Sequence, residues 1–147
     1  WISFSLMNTR ENINGKSIPL PTDQRYALNF YFTDYFPGTE RWKMLLNMSY
    51  ADGFPFSAPH KGIEDNNFRA PAYKRIDIGM SYRLLNNQYK EKKCIVRNIW
   101  LGIDCLNLLG ISNVSSYYWI ADITNQQYAV PNYLTGRQFN AKLQFEF

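Results

Sequence analysis

The last nine residues, Phe139 to Phe147, alternate without a break between apolar and polar side chains and stop on an aromatic ring. Phe139, Ala141, Leu143, Phe145 and Phe147 fall on one side of an extended chain, and Asn140, Lys142, Gln144 and Glu146 on the other. A two-residue period belongs to a strand with one greasy and one wet face. Such a ribbon suits a boundary between two different solvents, but a soluble sheet produces the same alternation. What separates the two is whether the pattern recurs, and over what length.

It recurs in five other segments. Trp1–Met7 sets Ile2, Phe4 and Leu6 against Ser3 and Ser5. Arg25–Tyr35 places Tyr26, Leu28, Phe30 and Phe32 opposite Arg25, Ala27, Asn29, Tyr31 and Thr33. Trp42–Ala51 alternates Trp42, Met44, Leu46, Met48 and Tyr50 with Lys43, Leu45, Asn47, Ser49 and Ala51. Tyr73–Leu84 alternates Ile76, Ile78, Met80, Tyr82 and Leu84 with Arg75, Asp77, Gly79, Ser81 and Arg83. A fifth, from about Ile95 to Leu106, opposes Ile99, Leu101, Ile103 and Cys105 to Asn98, Gly102 and Asp104, with Trp100 interrupting the polar side. Most run for about ten residues, enough at a tilt near 45° to cross an apolar band of roughly 25 Å. Strands of soluble proteins are commonly about 5–6 residues long. Length therefore predicts an all-β chain of about six antiparallel transmembrane strands.

The connections carry a second signal. Pro37-Gly38-Thr39-Glu40 is a tight turn and Leu85 to Lys93 a short polar stretch, whereas residues 8–23, 52–72 and 107–134 are long. Short and long alternate, as in outer-membrane barrels with short periplasmic turns and long outer loops. With six strands and a periplasmic C-terminus, the long loops fall on the outer side. Aromatic residues near strand ends, Tyr35 and Trp42 at the inner rim and Tyr50 and Tyr73 at the outer, suit interfacial girdles.

Composition excludes several classes. Aromatic residues make up 17% of the 147, a surplus typical of binding surfaces or membrane interfaces. No run of about 18 apolar residues exists, so spanning helices are not expected. A net charge of +4, with no basic stripe, argues against nucleic acid. The densest basic run, Lys90, Lys92 and Lys93 around Glu91, reads as a solvated turn. Cys94 and Cys105, if both lie on one strand, stand roughly 35 Å apart and are expected as free thiols. The chain opens at Trp1 already inside a strand pattern, as expected of a piece whose partner strands lie upstream.

His60, the only histidine, lies near Ser57 in an irregular loop with no orienting third member, so catalysis is not expected. Glu64-Asp65 sits in a polar loop without a second histidine or a cysteine pair, and neither a metal nor a cofactor is expected. Phe54, Pro55, Phe56 and Pro59 read as a rigid corner. Ser115-Ser116-Tyr117-Tyr118-Trp119, followed by Gln126-Gln127-Tyr128, places aromatic rings beside amides and hydroxyls. Tyr117, Tyr118, Trp119 and Tyr128 could stack on a flat ligand such as a sugar. The plainer reading is that Tyr117 and Trp119 extend a strand above the membrane and pack on a neighbouring loop. The polar side of the strands, Arg25, Asn29, Lys43, Asn47, Arg75, Asp77, Arg83, Asp104, Asn140, Lys142 and Glu146, is expected to point inward and bond with one another, with water or with a plug, as scaffold and not as a substrate site.

Several stretches together resemble the C-terminal barrel strands of TonB-dependent outer-membrane receptors. They are Pro21-Thr22-Asp23-Gln24-Arg25, Phe36-Pro37-Gly38, Arg69 to Gly79, Leu106-Asn107-Leu108-Leu109-Gly110-Ile111-Ser112-Asn113, Val130 to Arg137, and the terminal Phe147. The resemblance covers essentially the whole chain and implies that residues 1–147 are the C-terminal segment of a barrel of roughly 22 strands with a plugged lumen. Plug and upstream strands would be absent here. It implies a Gram-negative outer-membrane location, contact with outer-membrane lipid, and uptake of a nutrient such as a siderophore, glycan or peptide. Energy would come from the TonB coupling protein through the absent N-terminal part. It also implies that Gly136, Phe139, Leu143, Phe145 and Phe147 form the signal read by the barrel-assembly machinery. Two rivals stand beside it: a soluble β-sandwich binding module, for instance for carbohydrate, and an outer-membrane hydrolase.

Overall fold

The computed structural model describes residues 1–57, 68–86 and 96–147. Among them form β1 (Ile2–Leu6), β2 (Arg10–Ile13), β3 (Lys16–Pro19), β4 (Tyr26–Tyr35), β5 (Trp42–Ala51) and β6 (Pro55–Phe56). After these come β7 (Phe68–Arg69), β8 (Tyr73–Asn86), β9 (Asn98–Leu106), β10 (Val114–Ala121), β11 (Gln127–Tyr133) and β12 (Gln138–Glu146). The described residues contain strands and no helix. β1, β4, β5, β8, β9 and β12 make one antiparallel sheet in that order, the six segments read from the alternation. The other strands pair two by two inside the long connections, as β2–β3, β6–β7 and β10–β11.

The register is what gives the sheet two unlike faces. Across neighbouring strands Ile2 meets Phe30, Phe30 meets Met48, and Met48 meets Ile76. The next rows run Phe32, Leu46, Ile78, Cys105, Phe139 and then Met44, Met80, Ile103, Ala141. Polar rows flank this set on either side: Ser3, Asn29, Ser49, Arg75 toward the long connections, and Lys43, Ser81, Gly102, Lys142 toward the short turns. Directly opposed pairs are the units that stabilise a sheet, and a slip of one residue would set every apolar row against a polar one.

Burial is inverted relative to a water-soluble domain. Asp77 and Arg83, on the polar face, are only 6% and 8% exposed, whereas Ile78 and Leu143, on the apolar face, are 39% and 55% exposed. Ile18 and Cys105 are the described hydrophobic side chains that reach full burial. No second sheet lies over the apolar face among the described residues, so Phe30, Leu46, Ile78 and Leu143 do not converge in a core. The sheet does not close into a barrel. β1 and β12 each keep one edge with no strand beside it among the described residues.

Polar-face side chains bond with one another at several points, while Arg83 Nε and Asn98 Oδ1 are buried without a hydrogen-bond partner among the described residues. Arg75 Nε donates to Asp77 Oδ1 at 2.7 Å, Asn47 Nδ2 to Asp77 Oδ2 at 3.4 Å, and Asn98 Nδ2 to Glu146 Oε2 at 2.7 Å. Lys142 Nζ reaches both Asp104 carboxylate oxygens at 3.0 Å. Lys142 lies flat across the sheet because Gly102 beneath it has no side chain; a Cβ there would strike the lysine stem. Trp100, the break in the polar pattern, has a partner: the Arg83 guanidinium stands 4.9 Å from its ring centre and also donates to the Glu40 carbonyl.

Several expectations shift. β8 runs on to Asn86, and a bulge between Arg83 and Leu85 leaves Leu84 without an opposite residue. Tyr35 and Tyr73 belong to the polar-face rows and so are not exterior girdle residues. Tyr35 lies 6.3 Å from Trp100 and beneath Lys43. Trp42 keeps its place near the short turn, 4.6 Å from Tyr82, and Tyr50 stacks on Tyr26 at 5.5 Å. Residues 8–23 hold a tight hairpin: Asn14 and Gly15, at φ 52° and 78°, make the two-residue turn between β2 and β3. Pro59, His60, Glu64, Asp65, Lys90, Glu91, Lys92, Lys93, Cys94 and Ile95 lie outside the described residues. Cys105 is a free thiol.

Replacing Trp100 by Leu is expected to cost about 2 kcal/mol, because it strips the aromatic face from a nearly buried cation. Removing the cation as well, in the double variant Arg83→Met with Trp100→Leu, should recover part of that loss. Denaturant unfolding of the four proteins measures the coupling, and strictly additive costs would remove the pair from the account.

Candidate functional site: an aromatic cleft held by an ion cluster

All three long connections leave from the same end of the sheet, where β4 and β8 begin and β5 and β9 finish. The inner ends of the first two meet in a charged knot. Arg69, on β7, donates through Nη2 to Asp23 Oδ2 at 2.6 Å and through Nη1 to Asp52 Oδ2 at 2.9 Å. The same Nη1 reaches the Asp23 and Gly53 carbonyls at 2.9 and 2.8 Å. Arg25 Nε donates to Asp52 Oδ2 at 2.6 Å, and the Thr9 amide donates to Asp23 Oδ1 at 2.8 Å. One guanidinium thereby ties the first long connection to the second.

Asp23 and Asp52 are 1% and 5% exposed. Uncompensated, such burial would neutralise them. The Thr9 amide, with the Arg69 guanidinium behind it, holds the Asp23 carboxyl below the usual carboxylate range against the pull of burial. At Asp52 burial pushes upward, but the Arg25 hydrogen bond and the charges of Arg69 and Arg25 together outweigh it, so this carboxyl also lies low. Gly53, beside the knot, must be glycine: a Cβ would overlap the Ala70 carbonyl.

Above the knot the rings gather. Phe56 stacks on Tyr117 with centroids 4.4 Å apart and planes 16° from parallel, and on Phe68 at 5.7 Å. Trp119 tilts toward Phe56 at 6.5 Å. Strand alternation sorts the four aromatic residues singled out in the sequence. Tyr117 and Trp119 share the face of β10 that meets Phe56, while Tyr118, opposite Val130, and Tyr128, opposite Ile120, lie on the other face of the hairpin. Tyr118 and Tyr128 are exposed and line no part of the cleft. The Tyr128 hydroxyl instead donates to Gln126 Oε1 at 3.1 Å.

The cleft has a volume of about 600 Å³. Its lining includes Phe54, Pro55, Phe56, Tyr73, Tyr117 and Trp119. Gln24, Ser57, Ser115 and Ser116 add hydrogen-bonding groups and Asp52 a carboxylate, so the cleft combines aromatic surface with polar atoms. The corner read at Phe54 to Phe56 is therefore the hub of the ring cluster. Ser57 lines the cleft, and among the described residues no group of acids, cysteines or histidines is placed to hold a metal.

The terminal strand presents a different geometry. β12 is paired along its whole length with β9, from Gln138 opposite Leu106 to Glu146 opposite Asn98. Phe139, Leu143 and Phe145 project from the apolar face beside its free edge, and all three, with Phe147, are exposed. Gly136 precedes the strand in open space, with room for a Cβ. Comparison with family models, curated proteins and solved structures finds no match for the chain.

Arg69, Asp23, Asp52 and Gly53 were not singled out from the sequence, although Asp23 and Arg69 stand in two of the stretches that carried the resemblance. No spacing rule joins a carboxylate to a guanidinium 46 residues away. Phe56 was visible only as part of a corner.

Arg69→Met leaves two buried carboxylates without their shared cation and is expected to cost about 3 kcal/mol. Both carboxyls titrate below their unfolded value of about 3.9, so their contribution is complete above that pH and is lost as pH falls through the lower folded-state values. Protection of the Thr9 and Gly53 amides, taken as exchange relative to the intrinsic rate at each pH, should therefore fall in acid in the parent, whereas in Arg69→Met it should already be low at neutral pH. A double-mutant cycle on Phe56→Ala and Tyr117→Ala is expected to give about 1 kcal/mol of coupling; zero coupling would mean the rings merely adjoin.

Proposed function

We propose that this chain is the C-terminal barrel portion of a TonB-dependent outer-membrane receptor whose complete form takes up a nutrient ligand, with the aromatic cleft at the outer mouth. The observation that carries the reading is the inverted burial. A sheet whose apolar rows stay uncovered while Asp77 and Arg83 are buried on the opposite face suits hydrocarbon outside and an aqueous or protein-filled lumen inside. Two further observations support it. β4 and β5 have ten residues each, long enough to cross when tilted, and the long connections all emerge at one end.

In this reading the free edges of β1 and β12 pair with upstream strands, since an open edge cannot persist in lipid. Phe139, Leu143, Phe145 and Phe147 lie where the assembly machinery would grip a strand edge, with Gly136 leading into it. The plug packs against the polar face, and coupling to TonB belongs to the N-terminal part. The ligand is a siderophore, glycan, peptide or similar nutrient. The sandwich alternative needs a second sheet over Ile78 and Ile103, and the described residues offer none.

The test is depth-dependent charge insertion in the full-length protein, folded into bilayers. Ile103→Arg, on the apolar face, is expected to cost about 2–4 kcal/mol. Thr33→Lys, on the polar face, should stay within about 0.5 kcal/mol. Equal, small effects at both positions, or a full-length protein that is monomeric in water without detergent, would overturn the proposal.

A further inference from the structure

At the rim where the long connections begin, the apolar face carries a groove of about 310 Å³ bounded by Leu28, Phe30, Met48, Tyr50, Ile76 and the turn residues Leu109 and Ile111. Its wall is built rigidly. Asn107, at φ 52°, binds the Ile111 backbone twice, through Nδ2 to the carbonyl at 2.9 Å and from the amide to Oδ1 at 3.1 Å. Asn113 replaces a missing strand beside β8: its side chain accepts from the Lys74 amide at 2.9 Å and donates to the Lys74 carbonyl at 2.8 Å. Between these two anchors Leu109 and Ile111 are held beside the sheet, and Leu109 stays exposed.

The groove is polarised along the strands. Lys74 borders it in the row of Leu28 and Tyr50, the row nearer the rim, and Phe30, Met48 and Ile76 form the row beneath. The Lys74 ammonium stands 5.8 Å from the Tyr50 ring centre, and no described carboxylate is within ion-pair distance of it. A second cation stands by the same turn. The Arg137 guanidinium comes within 3.4 Å of where a Gly110 Cβ would be, and it too has no described carboxylate partner. An apolar slot with a lysine in its rim-side row, and an arginine beside the turn that walls it, matches a molecule that has an acyl chain and a phosphate.

The geometry points to a built-in site for one phosphate-bearing acyl lipid, its chain seated between Met48 and Ile111 and its phosphate on Lys74, with Arg137 beside the Gly110 turn as the second cation. The inference rests on the outer-membrane reading and adds to it a resident lipid on the exterior. The shared chemistry of a glycerophospholipid and a phosphorylated acyl-saccharide fits the groove, and the test separates the two.

The full-length protein is placed in nanodiscs containing phosphatidylcholine with a minor fraction of either phosphatidylglycerol or lipopolysaccharide, and retained lipid is counted by native mass spectrometry. Retention of at least one anionic lipid over phosphatidylcholine is expected. Lys74→Gln and Arg137→Gln should each lower it about fivefold. Met48→Trp, which fills the slot without touching charge, should lower it as well, and Lys43→Gln, on the polar face, should not. Whichever anionic lipid is retained identifies the source. Equal retention of all lipids, or indifference to both the charge and the slot variants, overturns the site while leaving the barrel intact. A full-length protein that fails to enter bilayers overturns both.

Discussion

Everything in this fold depends on registration: six strands are aligned so that most apolar residues meet apolar neighbours in rows that cross the sheet. The row from Phe32 through Leu46, Ile78 and Cys105 to Phe139 crosses five strands without a polar interruption. Because side chains alternate strictly, this single alignment also gathers Asn47, Asp77, Asp104 and Lys142 on the other side. Hydrogen bonds between backbones are indifferent to register. The segregation of side chains is not, and it is what sets the strands against one another.

The two ends of the sheet are organised by different means. At the short-turn end, Arg83 spans from Trp100 to the Glu40 carbonyl and joins the β4–β5 turn to the polar face. At the long-connection end, Arg69, Asp23 and Asp52 make a small ionic core, and the ring cluster around Phe56 rests above it. A sheet whose apolar face has no second sheet over it among the described residues has no oily interior with which to fix its loops. Charges sequestered with their partners, and rings stacked on rings, take over that role.

The six long strands were legible because alternation is a local property, and pairing only had to follow chain order. Trp100 looked like an error in the pattern for the same reason: its partner Arg83 lies on the neighbouring strand. The Asn14-Gly15 turn was equally local and could have been read, since two residues tolerant of positive φ between short polar runs announce a hairpin. In the cleft, alternation along β10 was enough to separate Tyr117 and Trp119 from Tyr118, and the plainer reading of those rings as packing on a neighbouring loop describes what Phe56 does. The Arg69 knot was beyond reach, because it joins three segments brought together only by the closed register of β4, β5 and β8.

Asn113 has a role beyond the turn in which it sits. By offering one acceptor and one donor to Lys74, its side chain does for β8 what another peptide unit would have done. β9 can therefore stop at Leu106 without leaving its neighbour raw, and the sheet can finish on a slant instead of a level line. The chain released by that early stop is what lets the β10–β11 hairpin reach past β8 and set Tyr117 on Phe56. A single amide, standing in for a strand, thus decides how far one loop can travel to meet another.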